Sequence, residues 1–362
     1  MKYLIWLTCN TSFSPAIKRF LDIYTPKELY SFQKEEYIKL GFSDAQISRL
    51  MDKSLDGAEK ILNICRLKGI KPIPYNSPEY PERLLKARDF PLVLYVRGNI
   101  SVLKNRLCVG IVGTRSSTPR GESFTEKLAV ELIEKGALII SGGASGIDTV
   151  GLWKSLERKA ECVAVLGCDI DRYYPSNNYA LFEQVATSGL VISEYPPCTN
   201  ARYFPMRNRI IAALSERLVV TEAPEKSGAL ITAEYAVGYS VPVFATNFDG
   251  ESFSGCRGLV SRGAREITTA DDVINFSEPT PIKKEKKERR QNKIEKIEPP
   301  KTVKNYKDER YLHIIKCINE GRDTPEQMKC REYGITDILC ILTELEIMGD
   351  IKELPGNKFK LN

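Results

Sequence analysis

Two short turns rich in small residues stand out in the sequence, at residues 113–117 and 141–148. Each follows an apolar run and precedes a helical pattern, so each places small residues at a helix N-terminus, where unpaired N–H groups attract anions. Arg115, in the first turn, adds a guanidinium whose fork matches phosphate oxygens. Glycines that only make a tight turn would explain one such turn. Two in succession, one with an arginine, favour a phosphate-binding site.

Three more turns of this kind follow, at residues 174–178, 204–209 and 227–232. Residues 204–209 combine a phenylalanine with two arginines and an amide at a predicted helix start, the makeup of a site that stacks a base and holds its phosphate. Each turn alone is ambiguous, because Ser, Asn and Gly cap helices without any ligand. Together they predict a groove for an anionic ligand. The candidate DNA- or phosphate-binding residues are Gly113, Arg115, Ser116, Gly142, Gly143, Gly146, Asp148, Phe204, Arg207, Asn208, Arg209, Ser227, Gly228 and Thr232.

The elements that must position these turns alternate between strands and helices up to about residue 276. The runs are apolar throughout, as expected for parallel strands that are buried on both faces. We predict strands at residues 92–96, 107–112, 137–140, 162–166, 190–193, 217–221 and 242–245. The fold class is therefore α/β, with a Rossmann-like doubly wound parallel sheet whose carboxyl edge carries the turns. The dinucleotide fingerprint G-x-G-x-x-G is absent, which disfavours a nicotinamide or flavin, and no cofactor is predicted.

Composition changes divide the chain into four parts. Residues 1–75 are predicted to form an N-terminal helical (SAM-like) domain, and residues 76–277 the Rossmann-like domain. Residues 278–305 form a charged linker with several lysines and prolines. Residues 306–362 show three helical patterns and a terminal hairpin, which together predict a C-terminal winged-helix domain. The single histidine, His313, lies in this domain and is interpreted as structural, because no second histidine exists for a triad or metal site.

Overall composition excludes several classes of protein. The 362 residues carry a net charge of +6, which permits a polyanionic partner without demanding one. The ten cysteines form no C-x-x-C pair, so no metal site is predicted, and their place in apolar runs suits the reducing cytoplasm. The N-terminal apolar stretch is brief and no small-residue cleavage site follows it, so it predicts a first helix. No run approaches membrane-spanning length, so no membrane partner is expected.

Four segments together carry a family resemblance: residues 112–118, 141–148, 204–215 and 227–233. Their order and spacing resemble the DNA-processing protein A family (DprA, also called Smf), with the F-P-x-R-N-R-I-I stretch as the most specific part. The resemblance implies a non-catalytic, bacterial, cytoplasmic protein that binds and protects single-stranded DNA during natural transformation. It also implies a homodimer and the loading of RecA onto the strand.

The sequence departs from the pattern of that family at four places. Residues 120–121 are Arg-Gly where the family often has Tyr-Gly, and residues 151–152 are Gly-Leu where it usually has Ala-His. Residues 246–248 are Thr-Asn-Phe in place of Val-Pro-Gly, and residues 255–257 are Gly-Cys-Arg in place of Gly-x-Asn. The missing histidine would matter for a hydrolase and matters little for a binding protein.

The sequence is compatible with two alternative functions. The α/β architecture also resembles nucleoside-monophosphate phosphoribohydrolases, whose signature is P-G-G-x-G-T-x-x-E. Glu234 falls at the offset of that carboxylate, but Leu230 and Ile231 stand where the signature has small residues and would crowd a sugar phosphate. Release of free base from nucleoside monophosphates would identify the enzyme. The other alternative is a transcription regulator that uses the winged helix, which would prefer duplex DNA.

The charge of the predicted recognition helix argues against that regulator. Residues 336–346 contain three carboxylates and no basic residue. A helix that enters the major groove needs Lys or Arg for phosphates and Arg, Asn or Gln for base edges. We therefore predict that the C-terminal domain contacts protein or mediates self-association, and that it does not read DNA.

Overall fold

The computed structural model describes most of the chain. The described residues are 1–277 except 12–16, 18, 19, 43, 88 and 202, followed by 309–328, 330, 338, 341, 342, 345, 351–354 and 358–361. Within this part of the chain, no helix combines the length and the apolar character needed to cross a membrane. The predicted charged linker, residues 278–305, lies outside the described residues.

The chain divides into two compact units. The first comprises Met1–Gly41 and Gln46–Glu285, and the second comprises Phe42–Ala45 and Lys286–Asn362. The first unit holds the N-terminal helices and a large sheet, and the second holds the C-terminal helices and hairpin.

The N-terminal part is helical, and five of its helices lie entirely within the described residues. They are α1 (Lys2–Asn10), α2 (Pro26–Ser31), α3 (Lys34–Lys39), α4 (Asp44–Met51) and α5 (Asp56–Leu67). Helix α1 packs against α2 and α5. Its Trp6 is fully buried, and the indole N–H donates to the Asp52 carbonyl at 3.0 Å. Burying this large ring with its polar atom satisfied anchors α1 to the rest of the helical cluster.

A nine-stranded sheet forms the centre of the first unit. Its strands are β1 (Lys71–Pro74), β2 (Val93–Gly98), β3 (Cys108–Val112), β4 (Leu138–Ser141), β5 (Cys162–Leu166), β6 (Leu190–Ser193), β7 (Arg217–Val220), β8 (Val243–Ala245) and β9 (Arg265–Glu266). The order across the sheet is β1-β2-β6-β5-β4-β3-β7-β8-β9. Strands β3 to β6 are buried at every position, which explains why apolar runs predicted them correctly.

The sheet is mostly parallel, as the predicted doubly wound core requires, and it has antiparallel strands at one side. Strand β2 pairs antiparallel with β6, and β1 pairs antiparallel with β2. Strand β1 contains Pro72 and Pro74, and an edge strand tolerates proline. The sheet therefore begins at Lys71, inside the range predicted for the N-terminal helical domain.

Helices connect the parallel strands in two groups. The helices are α6 (Glu82–Leu85), α7 (Pro119–Glu134), α8 (Ile147–Glu157), α9 (Tyr179–Ser188), α10 (Phe204–Leu214), α11 (Gly228–Gly238), α12 (Ser254–Ser261) and α13 (Ala270–Ile274). Along the chain, α6 precedes β2, α7 to α11 lie between β3 and β8, and α12 and α13 follow β8. Helix α8 packs with α7 and α9, whereas α10 packs with α6 and α11. With right-handed crossovers, the strand order reverses between β3 and β7. In an open α/β sheet, that reversal is where ligands bind.

The second unit contains two described helices and a hairpin. These are α14 (Glu309–Asn319), α15 (Pro325–Met328), and strands β10 (Ile351–Leu354) and β11 (Lys358–Leu361), which pair antiparallel. Ile338, Ile341, Leu342 and Leu345 are buried with residues of α14 and the hairpin. A ring nitrogen of His313 lies 2.7 Å from the Met328 carbonyl oxygen, which gives this histidine a structural contact. The rest of the predicted recognition helix, 336–346, lies outside the described residues, so the winged helix stays a prediction.

Candidate functional site

A groove of about 330 Å³ opens at the carboxyl edge of the sheet, where the strand order reverses. The turn after β3, the turn after β4, the start of α10 and the turn after β7 all contribute to it. Most of the residues predicted from the sequence line this groove: Gly113, Arg115, Asp148, Phe204, Arg207, Asn208, Ser227, Gly228 and Thr232. The strand-to-helix turns therefore converge as the alternation of elements predicted.

A buried carboxylate holds the turn after β3. Glu222 has no exposed surface, and its carboxylate accepts a hydrogen bond from the backbone N–H of Thr118 at 2.9 Å. The backbone carbonyl of Glu222 accepts a hydrogen bond from the backbone N–H of Thr114 at 2.7 Å. A Cβ atom on Gly113 would lie 2.8 Å from the same carbonyl oxygen. Sequence reasoning assigned no role to Glu222, because its partners lie about a hundred positions away. Ser116 is exposed on this turn and does not line the groove.

A second carboxylate fastens the turn after β4. The Oδ2 atom of Asp148 accepts the backbone N–H groups of Gly142 at 3.1 Å and Ala144 at 3.4 Å. Burial raises the pKa of Asp148, and the nearby Arg207 guanidinium offsets part of that rise. Asp148 thus shapes the groove, with its hydrogen-bonding capacity directed to the backbone.

Close approach explains two further glycines of this turn. Gly146 has a φ of 80°, and a Cβ atom there would collide with the Thr114 carbonyl oxygen. Gly143 has a φ of 64°, and a Cβ atom would collide with the Phe182 ring. Both positions need glycine for backbone shape and packing. They support the groove without lining it.

The Arg207 side chain lies within the groove wall and is 4% exposed. Its Nη1 donates to the carbonyl oxygens of Gly142, at 2.7 Å, and of Val165. Its Nε donates to the Asn208 amide oxygen at 3.2 Å. Burial lowers the pKa of Arg207, although Asp148 raises it in part. The guanidinium therefore joins the ends of two strands and contributes positive charge from beneath the groove surface.

Arg209 does not face the groove, which corrects the expectation that it lines a phosphate site together with Arg207. It is 1% exposed, and its Nε lies 2.9 Å from a carboxylate oxygen of Asp89, while Nη2 pairs with Glu194. Helix geometry is the reason, because residues two apart on an α-helix point about 200° away from each other. Burial alone would lower the pKa of Arg209, but the two carboxylates raise it above its ordinary value.

An exposed cation and an aromatic ring line the accessible wall of the groove, and a second ring packs on the first. The guanidinium carbon of Arg115 lies 5.9 Å from the Phe204 ring centroid, a cation–π distance. Tyr174 packs on the Phe204 ring, with the two ring centroids 4.9 Å apart and the ring planes at 37°. The Tyr174 residue is 44% exposed. Tyr174 was not among the candidate binding residues predicted from the sequence, although residues 174–178 were predicted to form one of the turns. The sequence feature that marks Tyr174 is an aromatic residue followed by proline just before a helix.

The turn after β7 completes the groove. The Ser227 hydroxyl caps α11 by accepting the Ala229 N–H at 3.3 Å, and the Asn208 amide donates to the Gly228 carbonyl at 3.2 Å. Lys226 is exposed at the groove rim, while Thr232 is buried in its wall. The charged residues that line the groove are thus three cations, Arg115, Arg207 and Lys226, and one carboxylate, Asp148. This balance favours an anionic ligand.

Glu234, the carboxylate offered by the phosphoribohydrolase alternative, is placed away from the groove. It is exposed on α11 and is absent from the groove lining, whereas the branched Ile231 is part of it. No cluster of three or more His, Cys, Asp or Glu side chains in the described part of the chain is arranged to hold a metal ion.

The sequence of this chain is similar to those of known proteins. Residues 71–278 match the sequence profile of the family described as DNA recombination-mediator protein A. The chain is 37% identical over 220 residues to the DNA processing protein DprA of Bacillus subtilis, which covers 59% of this chain and 73% of the relative. It is 40% identical over 206 residues to Protein Smf of Synechocystis, covering 55% of this chain and 52% of that protein.

Solved structures agree with the sequence relatives. The X-ray structure of DprA from Streptococcus pneumoniae superposes with a TM-score of 0.68 at 28% identity, covering 77% of this chain and 98% of that one. A second structure, described as showing a unique single-stranded DNA binding mode of DNA processing protein A from Helicobacter pylori, gives a TM-score of 0.52 at 31% identity. It covers 57% of this chain and 94% of that one.

Proposed function

This chain belongs to the DNA recombination-mediator protein A family, and we propose that it binds single-stranded DNA in the groove at the carboxyl edge of its sheet. The observation that carries the proposal is the stack of Arg115, Phe204 and Tyr174, which places an exposed cation beside exposed aromatic surface. Single strands are held by this combination, because bases stack on rings while cations track the backbone.

Each part of the groove has a distinct task in this proposal. Arg115 and Lys226 are exposed and contact phosphate oxygens, whereas Phe204 and Tyr174 receive unpaired bases. The buried Arg207 adds positive potential and fixes the groove wall through its bonds to strand-end carbonyls. A duplex keeps its bases stacked on one another, so the aromatic surface favours a single strand.

The family resemblance supports two further proposals about assembly. The chain forms homodimers, and in the cytoplasm it protects incoming single-stranded DNA and loads RecA onto it during natural transformation. Light scattering of the purified protein tests dimerisation. Nucleation of RecA filaments on protein-coated single strands, compared with bare strands, tests loading.

A binding comparison tests the central proposal. A short fluorescent oligonucleotide, single stranded or annealed to its complement, is titrated with the protein at two salt concentrations. The single strand is expected to bind more tightly. Its affinity should fall as salt rises, because each phosphate contact releases counterions from the strand. Each contact should contribute about −0.7 to the slope of log affinity against log salt concentration. Equal affinity for both forms, or no binding, would overturn the proposal. Incubation with nucleoside monophosphates and an assay for free base tests the enzyme alternative in the same preparation.

A further inference from the structure

Three of the positions that depart from the family pattern meet at one place in the fold. The guanidinium carbon of Arg120 lies 4.2 Å from the Phe248 ring centroid. Nη1 of Arg257 donates to the carbonyl oxygens of Phe248, at 2.6 Å, and Gly250, at 2.8 Å. Residues that are separated widely in sequence therefore build one structural unit, next to the turn that carries Arg115.

The Phe248 ring is held rigidly. Phe124 and Phe253 pack edge-on against it, with centroid distances of 5.2 and 5.3 Å and interplanar angles of 89° and 73°. Arg257 fixes the backbone beneath it through the two carbonyl bonds. An arginine that lies on such a ring is oriented before any ligand arrives, so less side-chain entropy is lost on binding.

Arg120 and Arg115 share an unusual pairing state. Both side chains are exposed, and neither guanidinium forms a hydrogen bond or an ion pair with any described residue; each lies against an aromatic ring instead. Several other arginines of the first unit are engaged by carboxylates, as shown by Arg97, Arg106, Arg158 and Arg209. Arg207 and Arg257 are engaged by carbonyl oxygens instead. The nearest acid in sequence, Glu122, is engaged by the Ser117 hydroxyl at 2.5 Å.

Arg115 precedes α7 and Arg120 lies in its first turn, and the two side chains contact different rings. Arg115 lies on Phe204, at the start of α10, and Arg120 lies on Phe248, which follows the carboxyl end of β8. Strands β3, β7 and β8 are neighbours in the sheet. A chain of phosphates that leaves the groove and follows this edge towards β8 therefore approaches Arg120.

We propose that Arg120, oriented by Phe248, is a second phosphate-binding position for the same single strand. The ligand is the phosphodiester backbone, and the site extends the strand's footprint from the groove to the loop after β8. This inference rests on the proposed function, and it predicts that the contribution of Arg120 depends on the length of the strand.

The test compares the full chain with Arg120→Ala on oligothymidylates of about 4 and about 15 nucleotides, a range that spans common single-strand site sizes. Arg120→Ala is expected to weaken binding of the longer strand about tenfold, to reduce its salt slope by about 0.7, and to change binding of the shorter strand less than about twofold. The matched control is Arg158→Ala, which removes another exposed arginine from the C-terminal end of α8, at the opposite edge of the sheet. It should leave both affinities unchanged.

Two further variants separate phosphate contact from structural effects. Arg120→Lys keeps the charge and loses the planar fork, so it should bind the longer strand with intermediate affinity. Phe248→Leu keeps apolar volume and removes the ring. It should therefore weaken binding of the longer strand only when Arg120 is present. Equal binding by Arg120→Ala and the unchanged chain at both lengths would overturn the inference and leave the proposed function intact. If the unchanged chain bound neither strand, both would fail.

Discussion

The guanidinium of Arg207 occupies the space that a Cβ atom on Gly142 would need. A Cβ built on Gly142 would lie 2.5 Å from Nη2 and 2.6 Å from the guanidinium carbon. The same side chain donates to the Gly142 carbonyl at 2.7 Å. Gly142 therefore lets a buried arginine cross the ends of β4 and β5, and the wall of the groove depends on the absence of a side chain at this position.

Substituting Gly142 tests that dependence. Gly142→Ala should push Arg207 from its place and lower the free energy of unfolding by about 1–3 kcal/mol, measured by chemical denaturation. Gly151→Ala is the matched control, because a Cβ there meets its nearest atoms at 3.7 Å within α8. Alanine in a helix interior is favoured over glycine by about 0.5–1 kcal/mol, so this control should be neutral or stabilising. Similar losses in both variants would contradict the role given to Gly142.

Removal of Arg115 should weaken single-strand binding without affecting the fold. Loss of a charged hydrogen bond costs about 1.5–3 kcal/mol, so Arg115→Ala should raise the Kd about tenfold or more. The side chain is exposed and forms no ion pair with the described residues, so thermal stability should be unchanged. Arg115→Lys should restore part of the affinity. Binding that is insensitive to Arg115→Ala would remove this residue from the site.

Removal of Arg209, unlike removal of Arg115, should destabilise the fold and leave the salt dependence of DNA binding unchanged. Arg209→Met leaves the Glu194 and Asp89 carboxylates, which have 12% and 25% of their side-chain surface exposed, without their cation. Breaking a buried ion pair from one side costs about 3–5 kcal/mol, which denaturation would measure directly. The salt slope of DNA binding by the folded fraction should not change. A stable variant with a reduced slope would show instead that Arg209 contacts phosphate.

Tyr174 should contribute through its ring. Base–aromatic stacking is worth about 1–3 kcal/mol per base, so Tyr174→Ala should weaken binding, whereas Tyr174→Phe should keep most of the affinity. Because the residue is 44% exposed, neither change should affect the melting temperature much. Fluorescence titration with an oligonucleotide distinguishes these outcomes, and equal losses in both variants would assign the effect to the hydroxyl group.

The C-terminal domain should add little to single-strand affinity. Deletion of residues 278–362 is expected to change the Kd a few-fold at most, about 1 kcal/mol, because the predicted recognition helix has no basic residue. The deletion should alter assembly or partner binding instead. Micromolar affinity of the isolated residues 305–362 for duplex DNA in physiological salt would favour the regulator alternative.

The parallel core could be predicted from the sequence, and the strands at its sides could not. Each strand from β3 to β6 is apolar at nearly every position, because helices cover both faces, and such runs are visible without any long-range information. Strand β1 carries two prolines and β9 has only two residues, both exposed. Neither has a pattern that distinguishes it from a loop. The antiparallel direction of β2 depends on its partner β6, which the sequence pattern of β2 alone does not specify.

Similar limits applied to the site. The strand-to-helix turns could be located because glycine and serine mark them, and the fold brings them to one edge. The direction in which an arginine points could not be predicted, because Arg207 and Arg209 have the same local composition and face different sides of α10. The partners that decide this, Asp89 and Glu194, belong to segments that no spacing rule connects to them.

The prolines of β1 have a consequence for how copies of this protein can meet. The N–H of Tyr75, just after the strand, points to β2 and donates to the Leu92 carbonyl at 2.9 Å. Backbone direction alternates along a strand, so the nitrogens of Pro72 and Pro74 point to the open side, where they have no hydrogen to donate. At the other end of the sheet, β9 offers only two charged residues. Neither border can template a further strand, which protects a long, apolar sheet against edge-to-edge aggregation and amyloid-like growth.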